Sequence, residues 1–170
     1  MTEPSIFTSS GDVVDAIAGI APGSPIDRLR RRRGDVFRHT QGSHDALLYP
    51  RDEGGVRRPE RAAIALRVAL TAKDERLATH YRALLNEAGG SELIGTVVQP
   101  DTGDKRLAAL LHHSDLLAHA PGNATAEDLR KLEALGFSSR DIVVVAQLVA
   151  FVSFQARLLA GLRILREERS

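Results

Sequence analysis

The segment PERAAIALRVAL, residues 59–70, is the most regular stretch in the N-terminal half of the chain. Its small and apolar residues recur at helical spacing and form one stripe, made of Ala62, Ala63, Leu66, Ala69 and Leu70. Pro59 suits the first turn of a helix, where a missing N–H removes no hydrogen bond. This segment predicts a helix that packs its apolar stripe into a core.

Helix-capping signals occur on both sides of this segment. Ser24 before Pro25, Thr125 three residues before Asp128, and Ser138 three residues before Asp141 have the pattern of helix N-caps. The apolar periodicity and the cap signals predict helical segments over residues 13–20, 26–39, 45–48, 59–70, 74–88, 105–119, 126–135 and 139–167, with loop or irregular helix over 91–103. Aromatic residues make up only 4% of the chain, which disfavours a β-sandwich.

These observations predict an all-α protein with a single domain over residues 1–170, in which residues 1–11 are flexible. The stretch from Ile142 to Phe154 is apolar on nearly every side of its helix. Such a helix must be covered all round, so we expect a homo-oligomer in which a neighbouring subunit contributes. Gln147, Gln155 and Arg157 in the same helix are expected to make satisfied polar contacts in the core or at a subunit interface.

Composition excludes several classes of function. The 23 basic and 22 acidic residues give a net charge of +1, too even a balance for a large polyanion-binding field. The chain has no cysteine, which rules out disulfides, thiolate nucleophiles and cysteine-ligated clusters. The N-terminus lacks the pattern of a secretory signal, and the uncharged part of the last helix is short for a bilayer. We therefore expect a cytoplasmic protein without membrane or nucleic-acid partners.

Several spaced blocks resemble the alkylhydroperoxidase D-like, or carboxymuconolactone decarboxylase-domain, family, and within it the peroxidase-related branch. The blocks are residues 41–48, 61–69, His80-Tyr81, 141–143, 147–152 and 155–157. The resemblance implies the all-helical fold of that family and an oligomer, often a trimer or hexamer. It also implies a site where a pair of cysteines reduces hydroperoxides, with a glutamate and a histidine as proton relay.

The family's catalytic pattern is altered in this chain at every position. Laid on the sequence without gaps, the relay glutamate falls on Ala62, the two cysteines on Asp74 and Leu77, and the relay histidine on Tyr81. An aspartate and a leucine cannot form a sulfenic acid or a disulfide. The resemblance therefore predicts a peroxidase-related protein without dithiol peroxidase activity.

The polar residues near these positions are the candidate catalytic groups. His80 is a candidate base, Tyr81 a candidate donor, and Glu60 a further acid–base group, with Asp74 and Glu75 close in sequence. The alternative is structural: Asp74 caps a helix, and His80 and Tyr81 fill space near a subunit boundary.

Two other clusters suggest chemistry that we do not expect. His112, Asp115 and His119 lie on one helical face beside His113, but no recognised metal motif accompanies them, so we predict no metal and no cofactor. Arg28 and the run 30–33 have no interleaved aromatic residues to stack on bases, which favours a solvated or ion-pairing face. Two functions remain open: non-thiol acid–base chemistry on a small molecule such as a lactone or small acid, or a catalytically inactive oligomer that binds a small molecule or acts as a scaffold.

Overall fold

The structure is a computed structural model that describes residues 12–102 and 104–167. Within these ranges every regular element is helical, which confirms the predicted all-α class. The α-helices are α1 (Val13–Ala18), α2 (Pro25–Arg31), α3 (Gly34–Leu48), α4 (Arg58–Thr71), α5 (Glu75–Glu87), α6 (Ile94–Val98), α7 (Lys105–His119), α8 (Ala126–Ala134) and α9 (Ser139–Glu167). The prediction for residues 1–11 lies outside the described residues.

The α4–α5 hairpin forms the centre of the fold. Residues 62–66 of α4 are buried without interruption, so this helix is covered on all sides by its neighbours. The connection between the two helices is only three residues long, and Arg58 at the start of α4 lies 3.7 Å from Glu87 at the end of α5. The two helices are therefore antiparallel, and the wholly buried Leu77, Tyr81 and Leu85 of α5 join the core.

The long helix α9 packs across α4 and α7 and also touches α1 and α3. Val145, Leu148, Val152 and Leu159 lie on its buried side. Its opposite side is open in the single chain: Val143 is 54% exposed, Phe154 40% and Ile164 58%. The chain itself thus covers only part of the apolar surface that the sequence places on this helix.

Local capping signals predicted the starts of α2, α8 and α9. Ser24 accepts from the N–H of Asp27, and Pro25 occupies the first turn of α2. Thr125 and Asp128 form a capping box at α8, and Ser138 and Asp141 exchange the same pair of bonds at α9. Each cap satisfies N–H groups that a helix start leaves free.

One predicted boundary is wrong. The sequence pattern indicated a single helix from Ile26 to about His39 and only a helical turn over residues 45–48. Instead α2 ends at Arg31, and α3 runs without a break from Gly34 to Leu48. The break has a tertiary cause, because Arg30 pairs with Asp12 and Asp15, Arg31 pairs with Asp15, and these ion pairs hold α2 against the start of α1.

The irregular helix predicted over residues 91–103 is confirmed for the part that the structure describes. A 3-10 turn (Ser91–Leu93) leads into α6, and a second 3-10 turn (Pro100–Thr102) follows it. Arg67 of α4 anchors this segment, donating to the carbonyl oxygens of Val97 and Val98 and pairing with Asp115 of α7 at 2.7 Å.

Helix α9 has the predicted bounds, but by length and composition it could span a membrane, whereas the sequence argument judged its uncharged part short for a bilayer. Its range Ser139–Arg166 has a window of mean hydropathy 2.0, sufficient by length and composition for a membrane span. This is weak evidence for a membrane, since core helices of soluble proteins pass the same test. Here 44% of that window is buried inside the fold.

Candidate functional site

His80 lies at the edge of an open surface depression of about 390 Å³. Helix α1 forms one wall through Ala16 and Ile17, and the first turns of α5 form the other through Glu75, Arg76, Thr79 and His80. Asp12 and Asp74, as N-caps of α1 and α5, fix where these two walls begin. The depression therefore brings an imidazole, a guanidinium and a carboxylate to one small surface.

A second histidine stands behind His80. The Nε2 atoms of His44, on α3, and His80, on α5, are 3.4 Å apart. The imidazole of His44 is buried, and its Nδ1 lies 3.1 Å from Oδ1 of Asp45, whose side chain is largely exposed. Gln41 donates to the same carboxylate oxygen at 2.8 Å. His80 at the depression thus contacts the buried His44, and His44 in turn contacts the exposed Asp45.

Tyr81 faces the core rather than the depression. Its side chain is wholly buried, and its hydroxyl donates to Oε1 of Gln155 on α9. The edge of its ring packs on His80, with ring centroids 5.0 Å apart. Nε2 of Gln155 is buried and has no hydrogen-bond partner within the part of the chain that the structure describes. The sequence-based expectation of satisfied contacts therefore holds for the Gln155 oxygen and fails for its nitrogen, while Gln147 and Arg157 are exposed.

Burial controls the protonation of these groups. Burial first, and the neighbouring His44 second, lower the pKa of His80 to about 4. Burial also lowers the pKa of His44, although the hydrogen bond to Asp45 opposes this effect. Burial raises the pKa of Tyr81 above its ordinary value. At neutral pH both histidines are uncharged, and Tyr81 keeps its proton.

The third predicted catalytic residue, Glu60, lies elsewhere. Its carboxylate accepts from the backbone N–H of Arg57 at 2.8 Å, just before the start of α4, and it pairs with Arg106 of α7 at 3.2 Å. Arg106 also donates to the carbonyl oxygen of Gly55 and lies over the ring of Phe137. These contacts give Glu60 a structural role between α4 and α7 and separate it from the His80 cluster.

The other residues that the resemblance placed at catalytic positions are part of the framework. Asp74 caps α5 through the N–H of Leu77 and forms an ion pair of 2.5 Å with Arg163 of α9. Leu77 is completely buried, and Ala62 is buried in α4. Where the resemblance implies thiols, the structure therefore has a capping carboxylate and a core leucine one helical turn apart.

Two solved structures share this architecture. A crystal structure of an alkylhydroperoxidase AhpD core, an uncharacterized peroxidase-related protein from Ralstonia eutropha JMP134, matches with a TM-score of 0.70 and 24% identity, over 87% of this chain and 78% of that chain. A crystal structure of an uncharacterized peroxidase-related protein from Silicibacter sp. TM1040 matches with a TM-score of 0.68 and 17% identity, over 95% of this chain and 92% of that chain. The chain has the alkylhydroperoxidase D-like fold. No family model and no curated protein matches its sequence.

In this alkylhydroperoxidase D-like fold the histidine cluster of α7 does not converge. His112 pairs with Asp101 at 2.8 Å, and Asp115 accepts from Nε and Nη2 of Arg67. His113 is buried, and its Nδ1 has no hydrogen-bond partner among the described residues. Among residues 12–102 and 104–167 no three histidine, aspartate or glutamate side chains are placed to hold a metal ion.

The arginine run is an ion-pairing surface, as predicted, but within the chain. Arg30 is engaged by Asp12 and Asp15, and Arg31 by Asp27. Both guanidinium groups also lie over the ring of Phe37, at 5.3 and 4.8 Å from its centroid. This arrangement uses the charges to fix α1, α2 and α3 against one another.

Sequence reasoning missed His44, Asp45 and Gln155 as members of the site. His44 and His80 are 36 residues apart, on helices whose packing no local pattern reveals. The one available signal was the resemblance of residues 41–48 to the peroxidase-related branch, which singled out the segment without assigning a role to its histidine.

Proposed function

We propose that this alkylhydroperoxidase D-like protein carries out acid–base chemistry without thiols on a small molecule bound in the depression beside His80. One observation carries the proposal: an uncharged histidine lines an open depression and is backed by a second histidine and a carboxylate. An imidazole without a proton at neutral pH can accept one from a bound substrate.

The composition of the chain supports chemistry other than dithiol peroxide reduction. With no cysteine in 170 residues, neither the attacking nor the resolving thiol of that reaction exists. Asp74 and Leu77 are committed to the helix cap and the core, so these positions supply no substitute nucleophile. We propose that dithiol peroxidase activity is absent.

Arg76 gives the depression a binding group for a small organic acid or a lactone bearing a carboxylate, although Glu75 lines the same depression. Arg76 lines the wall beside His80 and uses one guanidinium N–H on the carbonyl oxygen of Ala18, which leaves donors for an anion. A bound carboxylate would also favour the charged form of His80 and raise its pKa from about 4 toward neutrality. Substrate binding would thereby improve His80 as a base.

The test is a panel of small lactones and organic acids assayed for turnover with the wild-type protein and the His80→Gln variant. We expect turnover of at least one compound, and a fall in kcat/KM of about a hundredfold or more in the variant, the usual contribution of a positioned base. His112→Gln is the matched control, because His112 is an exposed histidine on α7 that pairs only with Asp101.

Equal turnover by wild type and His80→Gln would remove His80 from the mechanism and reject the proposal. Turnover of an organic hydroperoxide with a dithiol as reductant would reject its second part. Native mass spectrometry of protein purified from its own cells complements the assay, since a retained small acid would identify the compound to test first.

The open face of α9 favours a second candidate function, an oligomer that binds a small molecule or acts as a scaffold without catalysis. Val143, Phe154 and Ile164 expose apolar surface along one side of the helix. Exposed apolar stripes of this kind mark interaction sites.

We propose that a second copy of the chain covers this face, in a trimer or hexamer. We also propose that the protein acts in the cytoplasm without membrane or nucleic-acid partners. Absence of turnover together with a stable oligomer would favour this function.

A further inference from the structure

The nitrogen atoms of the His44–His80 pair leave only one consistent arrangement of protons. Nδ1 of His44 faces a carboxylate oxygen of Asp45 at 3.1 Å, and a carboxylate only accepts hydrogen bonds. Neutral His44 therefore carries its proton on Nδ1 and presents a lone pair at Nε2. That lone pair faces Nε2 of His80 at 3.4 Å, which must then be the donor.

We propose that Asp45 and His44 are positioning residues that hold His80 in the tautomer protonated on Nε2, with Nδ1 free to act as the base. The tautomer is inferred from the contacts alone. Its consequence for catalysis rests on the proposed function. Its chemistry is that of a base oriented by a second group, which is in turn oriented by a carboxylate.

The surroundings of the pair support this assignment. Gln41 donates to the same Asp45 oxygen, and its own side-chain oxygen accepts the N–H of Val13 at 2.8 Å, so the carboxylate is tied to the start of α1. The rings of Tyr49 and Phe151 pack around His44. A buried ring between these groups has little freedom to turn away from His80.

The other charged groups near the pair do not compete for these nitrogens. Asp12 of α1 influences His44 through its charge, but its carboxylate is bound by Arg30. Glu75 and Arg76 line the depression on the helix of His80 itself. The hydroxyl of Tyr81, the neighbour of His80, is engaged by Gln155. The described contacts of His44 Nε2 and His80 Nε2 are therefore with each other.

The experiment is NMR of the ¹⁵N-labelled histidine rings, which reports the tautomer of His80 without any substrate. In the wild type we expect His80 protonated on Nε2. In Asp45→Ala, His44 loses its partner and can move its proton to Nε2, so His80 should shift toward the form protonated on Nδ1. Asp35→Ala removes another exposed carboxylate from the same helix and should leave His80 unchanged.

Asp45 is exposed, so its replacement should not disturb folding. His44→Phe keeps a buried ring while removing both nitrogens, and is expected to release His80 in the same way. The proposal is overturned if His80 is protonated on Nδ1 in the wild type, or if its tautomer stays the same in either variant.

The catalytic consequence is tested separately, once the panel has yielded a substrate. Asp45→Ala should lower kcat by about tenfold or more with little change in KM, since the wrong tautomer removes the base but not the binding surface. A tautomer that responds to Asp45→Ala, combined with turnover that ignores His80→Gln, would keep the positioning pair and reject the proposed function.

Discussion

The backbone N–H of Gly55 donates to Oδ1 of Asp141 at 2.8 Å across 86 residues of sequence. The same carboxylate caps α9, accepting from the N–H and hydroxyl of Ser138 through its other oxygen. One side chain thus secures the loop before α4 and the start of α9 together. This contact lies near the start of α4, whereas the α4–α5 connection follows the other end of that helix.

Replacing Gly55 by alanine should destabilise the protein by about 1–3 kcal/mol. A Cβ built on Gly55 would lie 2.8 Å from the carboxyl carbon of Asp141, which is itself fixed by its capping bonds. Urea denaturation of Gly55→Ala measures the loss. Gly95→Ala is the control, because a Cβ at Gly95 meets nothing within 4 Å; an equal effect of both changes would contradict the clash.

The Arg67–Asp115 pair should be worth more than an ordinary surface ion pair. Its partly buried guanidinium binds both carboxylate oxygens and also the carbonyl oxygens of Val97 and Val98. We expect Arg67→Ala to lower the free energy of unfolding by about 2–4 kcal/mol, since it leaves several acceptors without a donor. For the exposed pair of Arg130 with Glu127, Arg130→Ala should cost less than about 1 kcal/mol. Similar losses for the two variants would show that the extra contacts add nothing.

His80 should make folding stability depend on pH between about 6.5 and 4. Its folded pKa of about 4 lies below the unfolded value, so the unfolded chain binds the proton first as the pH falls. The contribution of neutral His80 to the free energy of unfolding is fully present above about pH 6.5 and is lost as the pH decreases toward 4. Between about pH 7 and 5 the wild type should lose about 2 kcal/mol more than His80→Gln.

The pH comparison needs a control histidine that lies outside the depression. His112→Gln, on the exposed side of α7, should follow the wild-type curve. Urea denaturation of the three proteins at both pH values supplies the measurement. Parallel losses in wild type and His80→Gln would mean that His80 keeps an ordinary pKa and that the depression is wetter than the structure indicates.

A charge on the open face of α9 should break the proposed assembly. Phe154→Glu places a carboxylate on that face, and we expect light scattering after size-exclusion chromatography to show a smaller species than the wild type. Leu129→Glu on α8 is matched in exposure, since both residues are 40% exposed, and should leave the mass unchanged. A wild type that is already a monomer, or an equal effect of both variants, would rule out the face as the subunit contact.

Features set by neighbouring residues were predictable from the sequence. Ser24, Thr125 and Ser138 cap helices because each reaches an N–H three residues along the chain, and this spacing is visible in any sequence. The alkylhydroperoxidase D-like fold was likewise recognisable, from blocks that lie on α3, α4, α5 and α9.

Features set by distant residues were not predictable. The break between α2 and α3 depends on carboxylates of α1 that reach Arg30 across a turn. The approach of His44 to His80 depends on how α3 packs beside α5, and the separation of Glu60 from His80 depends on the antiparallel course of the α4–α5 hairpin. In each case helical periodicity identifies the face of a residue but not the helix that it meets.

Asp74 limits how this chain could accommodate a pair of cysteines. Its carboxylate caps α5 and holds Arg163 of α9, so a cysteine there would remove both contacts and leave the guanidinium without its counter-ion. A second cysteine in place of the buried Leu77 would open space in the core. A cysteine pair at these two positions would therefore require compensating changes on both α5 and α9.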